Sequence, residues 1–325
     1  MTGRRPPVVA VVILLTAVLT VLLIAFAWPA ARSAPRDLPV AVAGPEQAVG
    51  QVVAGLDKAM PGGFEITTVK DRASAVQLIE NRDVYGAIVL DPAQPEVLTA
   101  SAGGPAVAQI LVQLAGRLSP EHPAKITDVV PLPQEDPRGA GLAAGALPLV
   151  LGGILAAVAL TRFVRSGVRR MAGAVGLAVT GGLALGAVLQ FWLGSFEGNY
   201  FANSGVIALS IAATSLTLLG LEWLFGTAGL GAGSAVMMLL GNPLSGLTSA
   251  PEMLPSGWGA LGQLLPPGAA GTALRSVSFF DGAGADRAFV VLSAWFALGL
   301  FLCALGAMRS QRVVHGRHEA QPVTV

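Results

Sequence analysis

The sequence predicts an α-helical polytopic membrane protein with about six spans, arranged as one plus five, and an α/β extracytoplasmic domain inserted after the first. Of the 325 residues, 53% are hydrophobic and only 12% are charged, whereas about a quarter of the residues in globular proteins are charged. The mean hydropathy is +0.67. A single soluble domain needs a more charged surface, and a disordered chain contains fewer apolar residues, so both classes are excluded.

Six segments are apolar enough to cross a hydrocarbon layer of ~30 Å, which takes about 20 helical residues. They cover residues 8–28, 141–160, 171–193, 205–225, 226–240 and 288–308. The fourth and fifth follow each other directly, and Gly226 and Gly229 offer a tight reversal between them. The first could instead be a cleaved signal peptide. Its apolar stretch is longer than the roughly 7–15 residues of a cleavable signal, which favours an uncleaved anchor.

The arginines set the orientation, because short cytoplasmic loops are enriched in Lys and Arg. With the N-terminus inside, three basic clusters all fall on the cytoplasmic side: Arg4 and Arg5, Arg162 to Arg170, and Arg309 to Arg317. The sequence therefore predicts a cell-membrane protein with cytoplasmic termini, residues 1–7 and 309–325. Residues 29–140 are expected outside.

The segment 29–140 has the composition of a soluble domain and alternates strand and helix patterns, which is typical of a small α/β sandwich. Strands are predicted at 38–43, 64–70, 85–90, 96–100 and 126–130, and helices at 46–60, 72–82 and 105–118. The proline-rich stretch 131–138 is expected to be a semi-stiff linker back to the membrane.

The segment 242–287 is rich in proline and glycine yet remains apolar, so it suits neither a spanning helix nor a soluble loop. Short half-helices at the outer leaflet fit better, since irregular backbone at that depth must be buried in protein or face a wet cavity. The spacing of Leu274, Val277 and Phe280 predicts one more short helix there.

No motif supports catalysis. The sequence has no phosphate-binding loop of the G-x-x-x-x-G-K-[ST] type. His315 and His318 make at most a weak metal site and are better explained as part of a solvated tail. The single cysteine, Cys303, excludes an intrachain disulfide. No cofactor and no nucleic-acid partner are predicted, and a membrane-embedded enzyme is the least favoured class.

Two polar features of the membrane region can each be interpreted in two ways. The short basic loop with Arg162, Arg165, Arg169 and Arg170 fits both the positive-inside rule and a docking surface for a motor subunit. Glu222 is the one acid inside an apolar run. It could anchor its helix at the cytoplasmic interface, or it could have a functional role, either in contact with Arg162 or Arg165 or as part of a polar path.

Glycines spaced four apart, as at 141/145, 182/186 and 229/233, let helices approach closely in lipid. They favour packing inside the bundle, and a dimer seam is the other possibility.

Several stretches resemble a known family. They are Leu-Pro-Val-Ala-Val at 38–42, the runs 73–80, 84–90 and 101–109, Gly-Asn-Pro-Leu-Ser-Gly at 241–246 and Leu-Leu-Pro-Pro-Gly at 264–268. Together with the one-plus-five layout, they resemble type 2 permeases of ATP-binding-cassette transporters. The bacterial branch related to the phage-infection-protein membrane family is the most similar.

This resemblance implies a permease that pairs with a second copy or a second permease in the lipid bilayer and is powered by a separate ATP-binding subunit. It implies that Arg162 to Arg170 dock that subunit. The outer gate would involve Pro243, Pro266, Pro267 and Arg275. The competing hypothesis is a non-transporting envelope receptor or secretion scaffold anchored by the same helices.

Overall fold

The computed structural model describes residues 8–91, 94–118 and 124–319. The predicted N-terminal tail, residues 1–7, lies outside the described residues, as do residues 320–325 of the predicted C-terminal tail and His122. Element numbers below follow chain order.

Within the described residues, five helices are long and apolar enough to cross a membrane, as expected of a multi-pass helical membrane protein. These segments are Val8–Ala31, Ala140–Phe163, Gly167–Trp192, Tyr200–Gly241 and Asp286–Arg309. We label the helices α1 (Val8–Ala31), α5 (Ala140–Phe163), α6 (Gly167–Ala187), α7 (Tyr200–Val236) and α10 (Asp286–Glu319). α6 and α7 each continue into a π-helical turn, Val188–Trp192 and Met237–Gly241.

The fourth of these segments doubles back on itself. Gly226 has φ 66° and ψ −152°, a backbone conformation outside the helical region. A Cβ at Gly229 would collide with the carbonyl of Leu221, whereas a straight helix would separate these residues by about 12 Å. Residues 200–225 and 227–241 are therefore two antiparallel arms. The predicted segments 205–225 and 226–240 lie in these arms, with the reversal at Gly226.

Between α1 and α5 the chain forms a five-stranded sheet of order β2-β1-β3-β4-β5. The strands are β1 (Leu38–Ala43), β2 (Phe64–Val69), β3 (Gly86–Val89), β4 (Glu96–Thr99) and β5 (Lys125–Asp128). Only the β3–β4 pair is antiparallel. Helices α2 (Glu46–Ala59), α3 (Arg72–Glu80) and α4 (Pro105–Leu118) connect the strands. We call residues 38–128 the α/β unit.

The two faces of this sheet have separate cores, and the segment 242–285 contributes to both. Ala250 and Met253 are buried with the side chains of the face covered by α2 and α4. Phe280 is buried with those of the face covered by α3. The sequence predicts a domain over residues 29–140 with its own core. In the structure, that core also contains residues of the segment 242–285, more than a hundred positions away.

The segment 242–285, called the broken segment below, contains a 3₁₀ turn and two short helices. These are Pro251–Met253, α8 (Trp258–Gln263) and α9 (Pro266–Phe279). α9 includes the short helix predicted around residues 274–280. Because two prolines occupy its first turn, where a backbone N–H has no helical partner, the helix begins there without losing a hydrogen bond.

The first arm of α7 is the centre of the bundle, with α5, α6, α9 and α10 packed around it. Its side chains are buried almost without interruption from Val206 to Gly220. α1 is different, because most of its apolar surface is exposed and Pro29 is its one buried residue. The Trp28 ring lies edge-on against Trp258 with centroids 5.6 Å apart. A helix exposed all round with this composition suits a lipid-facing anchor.

Candidate functional site

The predicted site residues lie at the two ends of the bundle. The domain end contains the α/β unit and the broken segment, and the arginine end contains the α5–α6 turn, residues 163–170. Both the start of α1 and the last described residues of α10 lie toward the arginine end, since Ala34 binds the broken segment and Gly306 packs on Trp223. Each predicted site residue belongs to one of these ends.

At the arginine end the four predicted arginines have different roles. Arg162, Arg165 and Arg169 are exposed and have no ion pair among the described residues. The Arg170 side chain is largely buried, and its Nη1 lies 3.0 Å from Oε2 of Glu222. The proposed contact of Glu222 with Arg162 or Arg165 was therefore wrong, because the first turn of α6, not the end of α5, faces α7.

Arg170 also closes the end of α5. Its Nε donates to the Val164 carbonyl at 2.6 Å and its Nη2 to the Thr161 carbonyl at 3.0 Å. Thr161 lies in the last turn of α5 and Val164 is its C-cap, and carbonyls at the end of a helix have no intrahelical N–H donor. Arg170, a residue of α6, thus connects three helices. Its guanidinium binds carbonyls at the end of α5 and the Glu222 side chain of α7.

The same turn exposes two large apolar side chains beside the free arginines. Phe163 is 85% exposed and Val168 is 78% exposed, among the highest values in the described chain. Large apolar patches with a polar rim mark interaction sites, and these two side chains lie in the same turn as three exposed arginines. The sequence pointed to the charges here but not to these two side chains.

At the domain end, the broken segment places the other predicted residues. Pro266 and Pro267 are buried at the start of α9, and Arg275 is 3% exposed within that helix. Pro243 is half-buried in the turn that follows α7. The structure therefore brings these residues into one packed layer above the bundle.

Close backbone packing holds this layer together. A Cβ at Gly262 would collide with the Leu244 carbonyl, and one at Gly259 with the Pro251 carbonyl. A Cβ at Gly268 would in turn collide with the carbonyl of Gly262. Because each contact is with backbone rather than a mobile side chain, only glycine fits at these positions.

Arg36, just before the α/β unit, and two residues within the unit make polar contacts with this layer. Arg36, before β1, donates to the carbonyls of Met253 and Leu254 at 3.2 and 3.0 Å. Tyr85 donates its hydroxyl hydrogen to Oε2 of Glu252 at 2.7 Å. Burial, and then the charge of Glu252, raise the pKa of the Tyr85 phenol well above its ordinary value.

Arg82 makes the third contact. Its Nη1 donates to the Thr272 carbonyl at 3.1 Å and to the hydroxyl of Ser276, both on α9. Its guanidinium also lies 5.2 Å from the centroid of the Phe280 ring, within cation–π range. Burial lowers the pKa of Arg82. Its φ of 62° shows that the chain adopts a left-handed turn there to present the side chain.

Arg275 lies behind this contact layer. Its Nη2 donates to the Leu247 carbonyl at 3.1 Å, while its buried Nε has no hydrogen-bond partner among the described residues. Burial, with a smaller effect of the Arg82 charge, lowers the pKa of Arg275 to about 10. The guanidinium remains charged near neutral pH, so the domain end keeps a buried cation.

A cavity of about 470 Å³ lies between the α/β unit and the broken segment. Arg82, Tyr85, Glu252 and Phe280 line it, together with Arg287 at the start of α10. Its volume is within the range of small-molecule sites. The sequence could not predict this cavity, because its walls come from stretches separated by some 170 residues.

A buried polar cluster continues from α9 into the bundle. Asn203, fully buried near the start of α7, accepts a hydrogen bond from Ser278 at 2.9 Å. Its amide nitrogen donates to Gln190, in the π-helical turn after α6, at 3.1 Å and to the Glu197 carbonyl at 2.8 Å. A buried polar group without a hydrogen-bond partner destabilises the folded protein, so these hydrogen bonds fix the relative positions of α6, α7 and α9.

The described residues contain no group of three or more His, Cys, Asp or Glu side chains that could hold a metal ion. No protein-family model matches the sequence, and no curated protein is similar to it at a significant level. The resemblance to type 2 permeases therefore remains a prediction.

Proposed function

We propose that this protein is the integral membrane permease subunit of an ABC-type exporter, located in the cell membrane. A separate ATPase subunit would dock at the arginine end and supply the energy. Residues 29–140 would be outside and both termini cytoplasmic. The permease would work as a dimer with a second copy or a second permease, and its six membrane crossings would include both arms of α7.

The observation that carries the proposal is the connection between the two ends of the bundle through α7. Glu222 binds the α5–α6 turn at one end, and Asn203 binds α9 at the other. The helix rises by roughly 28 Å over the 19 positions from Asn203 to Glu222, close to the thickness of the hydrocarbon layer. A displacement of the turn by a docked motor would therefore reach the broken segment through a rigid, buried helix.

The surface at the arginine end supports a docked partner. It combines three free guanidinium groups with the exposed Phe163 and Val168. Aromatic anchors and arginines are enriched in the energetically dominant parts of protein interfaces. The broken segment and the buried Arg275 would belong to the outer gate, where α9 meets both α7 and the α/β unit.

The direct test is co-purification of an ATPase with the full chain from a host that contains the neighbouring genes. We expect an ATPase to be retained by the native protein and lost from the double variant Arg165→Glu/Arg169→Glu. Lys58→Glu reverses one exposed charge on α2, far from the turn, and is the matched control. Phe163→Ala should weaken retention without changing the charge.

If the native chain retains no ATPase and the double variant keeps full activity in cells, the exporter proposal is wrong. The scaffold hypothesis would then become the better explanation. Deleting residues 36–137 is a poor test of either idea, because the deletion would expose Ala250, Met253 and Phe280, which are buried in the two cores of the α/β unit.

A further inference from the structure

We propose that the groove between α2 and β2 binds an extended, positively charged peptide, which adds as a strand to the edge of the sheet. The groove has a volume of about 880 Å³ and lies on the side of the α/β unit formed by its first helix and its edge strand. This proposal does not depend on the exporter function.

The edge of β2 offers unpaired backbone groups. β2 is the terminal strand of the sheet and pairs only with β1 in the described part of the chain. The N–H of Leu38 donates to the carbonyl of Gly63. Because backbone groups alternate in direction along a parallel ladder, those of Phe64, Ile66 and Thr68 point away from β1.

The same three residues face the groove. Phe64 and Ile66 are only partly covered, and across from them α2 contributes Val49 and Val53. An added strand would place alternate side chains between the helix and the sheet while its backbone pairs with β2. Recognition by strand addition obtains affinity from backbone hydrogen bonds and specificity from such alternate pockets.

Gly50 leaves room for an added strand. It lines the groove from the middle of α2, and a Cβ at this position would meet nothing within 4 Å. Glycine destabilises a helix interior by about 1 kcal/mol relative to alanine, and no contact within the described chain requires it here. Space kept free at this point suits the close approach of a ligand backbone.

The charges favour a basic peptide over a second copy of this chain. The groove rim and edge strand contain the acids Glu46, Asp57 and Glu65 against Lys70. In a twofold-symmetric pairing, β2 would lie antiparallel to β2 of a second copy, and the side chains of directly opposed residues would lie on the same face of the sheet. Because side chains on one face are two positions apart, the numbers of two opposed residues would be both even or both odd. Glu65 can then never face Lys70, and the symmetric pairing gains no opposite-charge pair.

These constraints define a probe. In antiparallel pairing, the peptide Thr-Val-Thr-Val-Lys-Val-Lys would place its three valines opposite Thr68, Ile66 and Phe64. Its first lysine would lie opposite Glu65. Replacing the central valine with proline removes the N–H that would donate to Ile66, and replacing the first lysine with glutamate reverses the charge opposite Glu65.

Binding of the labelled peptide to the full chain in lipid nanodiscs is measured by fluorescence anisotropy. We expect saturable binding, weakened about tenfold or more by the proline replacement, because one hydrogen bond and its local geometry are lost. Gly50→Leu should abolish binding. Gly55→Leu is the matched control, because Gly55 lies on the same helix with equally open space but outside the groove.

The charge pair gives a second criterion that a folding defect cannot imitate. Glu65→Lys should weaken the binding of the lysine peptide and restore the binding of the glutamate peptide. No saturable binding, equal binding of the proline peptide, or equal loss in Gly50→Leu and Gly55→Leu would overturn the proposal. So would loss of dimerisation in Gly50→Leu without peptide binding to the native chain, since the groove would then be a contact between copies.

Discussion

The guanidinium of Arg170 and the carboxylate of Glu222 lie 3.0 Å apart at the arginine end, and both side chains are about 85% buried. The pair joins the α5–α6 turn to the central helix. It accounts for the acid that interrupts an otherwise apolar segment, since a partly buried carboxylate is stable there only beside a cation.

Loss of one partner should destabilise the protein more than loss of an exposed arginine. Arg170→Met removes the cation and the donors to the carbonyls of Thr161 and Val164, and leaves Glu222 unpaired. We expect a loss of about 3 kcal/mol, typical of a broken buried pair, and less than about 0.5 kcal/mol for the exposed control Arg162→Met. Thermal unfolding in nanodiscs measures both.

The double variant Arg170→Met/Glu222→Met distinguishes the effect of the ion pair from the effect of the other contacts of Arg170. If the interaction dominates, the double variant should be more stable than Arg170→Met alone, because no unpaired charge remains. Equal unfolding midpoints for Arg170→Met and Arg162→Met would contradict the structural role of the pair.

Much of the secondary structure follows from local patterns. The bounds of β1 and α4 agree with the predicted 38–43 and 105–118, because alternation and a proline in the first helical turn are local signals. The reversal at Gly226 was also predictable, since two spans adjoin a glycine. These features depend on residues close together in the chain.

The contacts between distant segments were not predictable. Nothing in the sequence near Phe280 indicates that its ring completes a core built from β1, β3 and α3. The partner of Glu222 was missed for a similar reason, because four arginines lie within nine positions and only the helix orientation selects one. The groove between α2 and β2 likewise depends on how far α2 lies from the edge of the sheet.

Gly262→Ala should disrupt the broken segment. The added methyl group would collide with the Leu244 carbonyl, and backbone cannot move aside without displacing the turn after α7. We expect a loss of about 2 kcal/mol or more, within the range for overpacking. The matched control is Gly231→Ala, whose Cβ meets nothing within 4 Å and which should be neutral or slightly stabilising.

Limited proteolysis measures this effect locally. Cleavage within 242–285 should be faster in Gly262→Ala and unchanged in Gly231→Ala. Equal protection of both variants would mean that the glycine contact does not hold the layer in place.

The α/β unit should lose stability in acid through Glu96. Its carboxylate accepts from Arg72 at 2.7 Å and from Thr127 at 2.6 Å. The hydrogen bond from Arg72 is the main cause that lowers the pKa of Glu96 from 4.5 to about 2. Since the folded state favours the charged form, this stabilisation is complete above pH 4.5 and is lost as the pH falls toward 2.

Unfolding midpoints between pH 6 and pH 2.5 test this dependence. Glu96→Gln should be less stable than the native chain at pH 6 and lose less stability on acidification. Glu65→Gln, an exposed acid without an ion pair in the described chain, should follow the native profile. Parallel profiles for Glu96→Gln and the native chain would rule out Glu96 as the acid-sensitive group.

The reversal at Gly226 decides how the chain crosses the membrane, and cysteine labelling can test it. With Cys303→Ser as background, single cysteines replace Ser101, Ser166, Thr227 or Ser256. If the two arms of α7 are antiparallel in the membrane, an impermeant maleimide should reach Ser101→Cys and Ser256→Cys from one side. Ser166→Cys and Thr227→Cys should react only from the other side.

The position at 256 discriminates most sharply between the two arrangements. A continuous helix over 200–241 would place it with Ser166→Cys, whereas the doubled-back helix places it with Ser101→Cys. Gly226→Ala adds a second criterion. Because alanine disfavours φ 66° with ψ −152° by about 1–3 kcal/mol, the variant should lose stability while keeping the labelling pattern. If that pattern changes, the single glycine determines the topology.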